Sequence, residues 1–181
     1  AADKEPNYKH MEKLVNSQSG IIKDTPYFML LQPQIEKLNE SHKTQSVYAL
    51  AGKDRKGKDF KWGEIRDQYI LVDFWASWCV PCRKETPFLK MAKERYKDKL
   101  AVYAVTIDAD TLKWEKAIEE DSTQYFIHVR GVNDRNVPDK QVRALKIKSI
   151  PRNFLLDKER RIIAKDLRGE ELLNALEQLI K

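Results

Sequence analysis

Cysteine is scarce in this chain. There are 2 in 181 residues, Cys79 and Cys82, which excludes a disulfide-stapled fold and a four-cysteine zinc site. The 3 histidines, His10, His42 and His128, are far from one another and from the cysteines, so no metal-ligand spacing is present. With 6 Gly and 7 Pro, collagen-like and low-complexity chains are excluded. No apolar run approaches the roughly 18 residues of a membrane span. No signal-peptide pattern is legible, and a leader already removed leaves the same sequence.

What is present suits a globular domain. Hydrophobic residues make up 41% and charged residues 34%, enough apolar material for a sizeable core. At roughly 150 residues per domain, the length fits one decorated domain or one domain with an appendage. The net charge of +6 is concentrated in residues 53–61, 83–99 and 135–152. Acids interleave most of these stretches and no aromatic RNA-binding pattern accompanies them, so they read as solvated surface and no nucleic-acid partner is expected.

Residues 1–45 read as a helical extension or linker. Met11, Leu14 and Val15 recur at helical spacing, as do Ile35 and Leu38. From residue 46 the pattern changes. A short strand over Val47–Ala51 leads into a charged turn and a return at Asp59–Lys61, which suggests a hairpin. Residues 69–75 alternate as a strand, with Ile70, Val72 and Phe74 on one face and Leu71, Asp73 and Trp75 on the other. A helix is expected over 80–97, then a nearly continuous apolar strand over 100–107, as a strand covered on both faces requires. A helix over 112–120 turns Trp114, Ala117 and Ile118 inward. A short strand over 125–129, a short helix over 137–145, two strands at 153–157 and 160–164, and a final helix over 170–180 complete the chain. A βαβ unit followed by ββα predicts a three-layer α/β sandwich: a mixed central sheet with helices on both faces over residues 46–181.

The chemistry concentrates at the end of the first core strand, in Trp75-Ala76-Ser77-Trp78-Cys79-Val80-Pro81-Cys82. A close cysteine pair is the arithmetic of a redox motif. At a strand-to-helix junction Cys79 falls near the helix N-cap, where free backbone N–H groups and the macrodipole favour an anion. Pro81 occupies the first turn, where its missing N–H costs least. Arg83 and Lys84 are expected to add positive charge. Together these lower the Cys79 pKa and make it the attacking thiolate; moving a thiol from about 8.5 toward 7 is worth roughly 2 kcal/mol. Cys82, one turn further in, is expected to be shielded and to resolve the mixed disulfide by attacking the Cys79 sulfur.

Asp73 is an acid inside an apolar strand, six residues before Cys79. Burial raises its pKa toward neutrality, which suits it to take the Cys82 proton. Glu85, three residues after Cys82, is either a second such acid or a favourable first-turn charge. Trp75 reads mostly as core, Trp78 as partly substrate-facing, and Trp62, Trp114, Tyr103, Phe126 and Phe154 as packing residues.

Residues 46–181 resemble the thioredoxin-like superfamily, specifically its TlpA/ResA-like extracytoplasmic thiol-disulfide oxidoreductases. Residues Val72 to Cys82 match the active-site segment, Pro87 the helix-kinking proline, and Ile150-Pro151 the cis-proline that faces the disulfide. Asp73 occupies the place of thioredoxin's buried aspartate, and Glu85 that of a glutamate in the ResA-like branch. Residues 114–145 look like that branch's insertion. The resemblance implies a redox-active Cys79–Cys82 disulfide with no other cofactor or metal, protein disulfide substrates and an upstream thiol electron donor. It also implies an extracytoplasmic setting, periplasmic or membrane-anchored through a segment preceding residue 1. Trp78, Val80, Pro81, Ile150, Pro151 and Arg152 are the expected substrate-contacting residues. Proline opposite Cys79 donates no N–H, which leaves the Ile150 backbone to pair with an extended substrate. Val80 stands where thioredoxin has glycine. Arg152 stands where it has threonine, either projecting charge beside the groove or lying solvated in a loop.

Three readings follow. The chain reduces protein disulfides; it runs the same chemistry in reverse as an oxidase or isomerase; or it is a docking module that keeps the fold without using the thiols. The absence of histidine between the cysteines tilts the pair toward reduction. A thiol peroxidase lacks its Pro-x-x-x-Thr-x-x-Cys arrangement here.

Overall fold

The computed structural model describes residues 50, 52–132, 137–138, 142–143 and 145–180, all within one compact unit, Gln45–Lys181. The helical extension expected over 1–45 and most of the strand expected over 47–51 lie outside the described residues.

The backbone follows the alternation of apolar periods. Strand β1 (Lys53–Asp54) falls inside the stretch expected as a charged turn and bridges back to Asp59, and a 3-10 turn spans Trp62–Glu64. Strand β2 (Tyr69–Trp75) leads into helix α1 (Val80–Arg95), strand β3 (Leu100–Thr106), helix α2 (Thr111–Glu120) and strand β4 (Ile127–Arg130). Strands β5 (Arg152–Leu156) and β6 (Ile162–Lys165) form a hairpin before helix α3 (Gly169–Leu179). Asp110 starts α2 as its N-cap, its carboxylate accepting from the N–H groups of Leu112 and Lys113. Of the helix expected over 137–145, Val142 and Arg143 are described as helical.

The sheet order is β1-β4-β3-β2-β5-β6. Strands β2, β3 and β4 run parallel, while β1, β5 and β6 pair antiparallel, so the sheet is mixed as expected. Two successive crossovers in one direction along the sheet, both right-handed, place α1 and α2 on the same face. That face buries Leu71, Val102 and Leu155 against Leu89 and Ala92 of α1 and Leu172 and Leu176 of α3. Trp114, Ala117 and Ile118 of α2 pack beside them against Trp75 and Ala104. Each fully buried leucine stabilises by roughly 1.5–3 kcal/mol.

The opposite face carries Ile70, Val72, Phe74, Tyr103 and Phe154, covered by Leu50, Phe60, Trp62 and Ile65 and by Val142, Leu145 and Ile147. The Tyr103 hydroxyl donates to the Leu50 carbonyl, and the Trp62 ring meets the Tyr103 ring edge-on at 4.8 Å. The sheet's centre is thereby covered on both faces, and the carboxyl end of β2 leads into the cysteine segment.

Candidate active site

Cys79 is the N-cap of α1, with extended backbone angles, and its sulfur accepts the Cys82 N–H at 3.2 Å. Cys79 and Cys82 are joined as a disulfide with their Cα atoms 5.3 Å apart. Pro81 lies in the first turn of the helix and Pro87 inside it. The expected contrast in shielding is not one of burial in this oxidised form: Cys79 is 4% exposed and Cys82 3%. Position separates them instead. Cys79 caps the helix between two exposed apolar side chains, Trp78 and Val80, each 63% exposed. Cys82 faces inward onto a cavity beneath the helix.

The turn before Cys79 is held by an acid that the sequence reading passed over. Asp108, 2% exposed at the end of β3, accepts the Ser77 N–H at 2.8 Å and the Ser77 hydroxyl at 2.7 Å. It also accepts the Thr106 hydroxyl at 2.6 Å. An acid directly after an apolar strand is the signal that could have flagged it.

Asp73 lies on the α1 face of β2, buried as expected. Burial pushes its carboxyl up to about 7, the nearby positive charge of Arg168 opposes this, and the negative charge of Glu85 adds to it. Its neighbours in register are Ala104 on β3 and Asn153 on β5, and Ala104 in turn pairs with His128 on β4. Side chains in register on adjacent strands share a face. Asp73 and His128 therefore flank Ala104, whose small side chain leaves space between them. The cavity beneath Cys82 is lined by Asp73, Trp75, Ala104, Thr123 and His128 and holds about 10 Å³ open to a water's centre, room for about one water.

Two expected charges act elsewhere. Arg83 grips Asp121 through Nε and Nη2, at 3.0 and 2.6 Å, and reaches Glu120 at 3.0 Å. The hydrogen bond to Asp121 raises its pKa. Its cation is thus offset by acids of the α2–β4 turn instead of being free to favour the Cys79 thiolate, and Lys84 is exposed. Glu85 is not a first-turn charge of α1. Its carboxylate accepts the N–H of Gly169 at 2.7 Å, at the first turn of α3. There it meets the positive end of a helix and lies close enough to Asp73 to act on it.

The Ile150–Pro151 bond is cis. Ile150 packs against the cluster containing Cys79, Cys82 and Trp75, so the structure brings this loop to the disulfide. Arg168 donates to the Pro151 carbonyl and, at 2.7 Å, to the Leu167 carbonyl, a role with no local sequence signal. Arg152 opens β5; its guanidinium ion-pairs with Asp166 at 3.1 Å and lies over the Phe154 ring at 5.4 Å. It is therefore an ion-paired strand residue and not a solvated loop residue. Among the described residues no cluster of His, Cys, Asp or Glu could hold a metal ion.

Comparison with known proteins places this geometry. The Redoxin family model matches residues 33–180. The chain is similar to the thiol-disulfide oxidoreductase ResA of Bacillus thuringiensis subsp. konkukian, 27% identical over 71% of this chain and 70% of that protein. Its fold is similar to the thioredoxin domain of a thiol-disulfide oxidoreductase from Bacteroides vulgatus, 35% identical over 73% of this chain and 93% of that one, with a TM-score of 0.66. It is also similar to a thiol:disulfide interchange protein from Bacteroides sp., 37% identical over 72% and 84%, with a TM-score of 0.63.

Proposed function

The chain belongs to the Redoxin family as a ResA-like thiol-disulfide oxidoreductase, and from that premise we propose that it reduces disulfides of extracytoplasmic proteins. The observation that carries the proposal is the cysteine pair itself, with Cys79 at the helix N-cap and Cys82 turned onto the Asp73 cavity. In the reduced protein the Cys79 thiolate, favoured by the N-terminal N–H groups of α1, attacks one sulfur of a substrate disulfide. A Cys79–substrate bond forms and the other substrate sulfur leaves as a thiolate. Cys82 then gives its proton to the Asp73 carboxylate and attacks the Cys79 sulfur. The second substrate thiolate leaves and the Cys79–Cys82 disulfide closes. Two electrons have passed to the substrate, and an upstream dithiol donor returns them.

Trp78, Val80 and Pro81 form an exposed surface at the mouth of the pair, with Ile150 and Pro151 half-buried beside the disulfide. This is the face on which an extended substrate segment docks. A periplasmic or membrane-anchored setting belongs to the same proposal, in keeping with the ResA resemblance.

Equilibrium titration in defined thiol/disulfide buffers, read by tryptophan fluorescence and by alkylation with mass spectrometry, tests direction. A potential at or below about −230 mV supports a reductase, and one of about −180 to −120 mV makes the chain an oxidase or isomerase. The Cys82→Ser variant is expected to trap substrate proteins on Cys79, and Cys79→Ser to be inactive. A pair that never closes to a disulfide replaces the redox reading with the docking module.

A further inference from the structure

His128 is 4% exposed on β4, between Ile127 and Val129, and nothing in the dithiol chemistry above uses it. Its Nε2 lies 2.8 Å from the Thr123 carbonyl. A carbonyl only accepts, so Nε2 carries the proton and Nδ1 the lone pair. Nδ1 has no hydrogen-bond partner among the described residues, and neither has the buried Nε1–H of Trp75. The two rings lie 6.0 Å apart, and both line the one-water cavity that also meets Asp73 and Cys82. A buried acceptor and a buried donor without partners, on residues lining one mostly apolar cavity of water size, mark the points at which a water there would bond. In the reduced protein a water there would accept from Trp75 Nε1–H and the Cys82 thiol and donate to the Asp73 carboxylate and His128 Nδ1.

We propose that His128 is a positioning residue for the resolving step, its Nδ1 orienting a water that carries the Cys82 proton to Asp73. The proposal rests on the dithiol reading above. In that step the S–H proton passes to the water oxygen while one water proton passes to the Asp73 carboxylate. The freed Cys82 sulfur bonds to Cys79, and the Cys79–substrate bond breaks to release a thiolate. The second water proton stays on the hydrogen bond to His128, which takes no proton itself. Burial holds the imidazole down at about 4, so it remains a neutral acceptor.

The charged and titratable groups around the relay are few. Asp73 faces Cys82 and Glu85 of α1, Arg168 ahead of α3 and His128 of β4. His128 faces Glu115 of α2 and Arg55 of the β1 turn, which neutralise each other at 2.5 Å. Asp121 also lines the cavity, but it is ion-paired with Arg83.

Two amide variants separate the ring's nitrogens. His128→Gln keeps a donor for the Thr123 carbonyl but removes the acceptor at Nδ1, whereas His128→Asn keeps a polar group at Nδ1. Reduced protein is mixed in stopped flow with the aromatic disulfide dithiobis(nitrobenzoate). Attack by Cys79 releases one coloured thiolate, and resolution by Cys82 releases the second in a step independent of reagent concentration. The second phase is expected to slow about tenfold in His128→Gln, the loss of one oriented hydrogen bond, and to recover to within about threefold of the parent in His128→Asn. A Gln variant as fast as the parent, or an Asn variant as slow as Gln, overturns the proposal. So does a wild-type ¹⁵N spectrum at neutral pH showing the proton on Nδ1, a test that needs no variant to fold. If the wild-type protein itself lacks the second phase, the dithiol reading fails and not the assignment of His128 alone.

Discussion

Asp108 holds Ser77 by two hydrogen bonds, accepting its N–H at 2.8 Å and its hydroxyl at 2.7 Å. The carboxylate at the end of β3 thereby fixes the turn that leads to Cys79, two residues on. The Cys79 sulfur is placed by a neighbouring strand as well as by its own helix.

That brace has a measurable weight. Asp108→Ala removes both bonds and the one from the Thr106 hydroxyl, leaving buried donors unpaired. It is expected to cost about 3 kcal/mol in urea unfolding, against about 1 kcal/mol for Ser77→Ala, which deletes only the hydroxyl bond. Equal costs for the two variants would show that Asp108 does not organise the turn.

Glu85 is expected to divide into a charge effect and a hydrogen-bond effect. Glu85→Gln keeps an acceptor for the Gly169 N–H and removes the negative charge that raises the Asp73 pKa. Stability is expected to change by less than about 1 kcal/mol, while the Asp73 titration, followed by carboxyl ¹³C NMR, moves to lower pH. Glu85→Ala also loses the cap on α3 and is expected to cost about 1 kcal/mol. An unmoved Asp73 titration in Glu85→Gln contradicts the coupling.

Asp73 and His128 bias stability in opposite directions with pH. His128 titrates near 4 when folded, against an ordinary value of 6.5. Between those values the unfolded chain binds a proton that the folded chain refuses, so stability rises with pH and is lost on acidification. Asp73 titrates near 7 when folded, against 3.8. Over that window the folded chain keeps a proton the unfolded chain has shed, so stability falls as pH rises. Each slope is about 1.4 kcal/mol per pH unit, and they nearly cancel between about pH 4 and 6.5. Asp73→Asn is expected to leave a stability that climbs with pH across this range, and His128→Gln one that declines. Parallel denaturation profiles for parent and both variants refute the opposed pair.

Trp78, 63% exposed beside buried Cys79, is the large apolar side chain available to a docked substrate. Trp78→Ala is expected to lower kcat/KM for an unfolded protein disulfide about tenfold more than for glutathione disulfide, the size of a modest contact hot spot. A loss shared equally by both substrates would assign Trp78 to the chemistry of the cysteines instead of to docking.

Local rules of the chain already fix several of these placements. Alternation with a period of 2 put Asp73 on the face of Leu71 and Trp75. Helical spacing turned Trp114, Ala117 and Ile118 inward, and the strand-to-helix junction made Cys79 an N-cap. Tertiary structure decided what crosses strands and layers. Register over three strands set His128 beside Ala104 and Asp73. Packing of α3 against α1 gave Glu85 a partner 84 residues away, and the α2–β4 turn gave Arg83 its partner Asp121, 38 residues on. Local periodicity orients a side chain to a face; the partner it meets there depends on strand order and helix docking, which no short window of sequence contains.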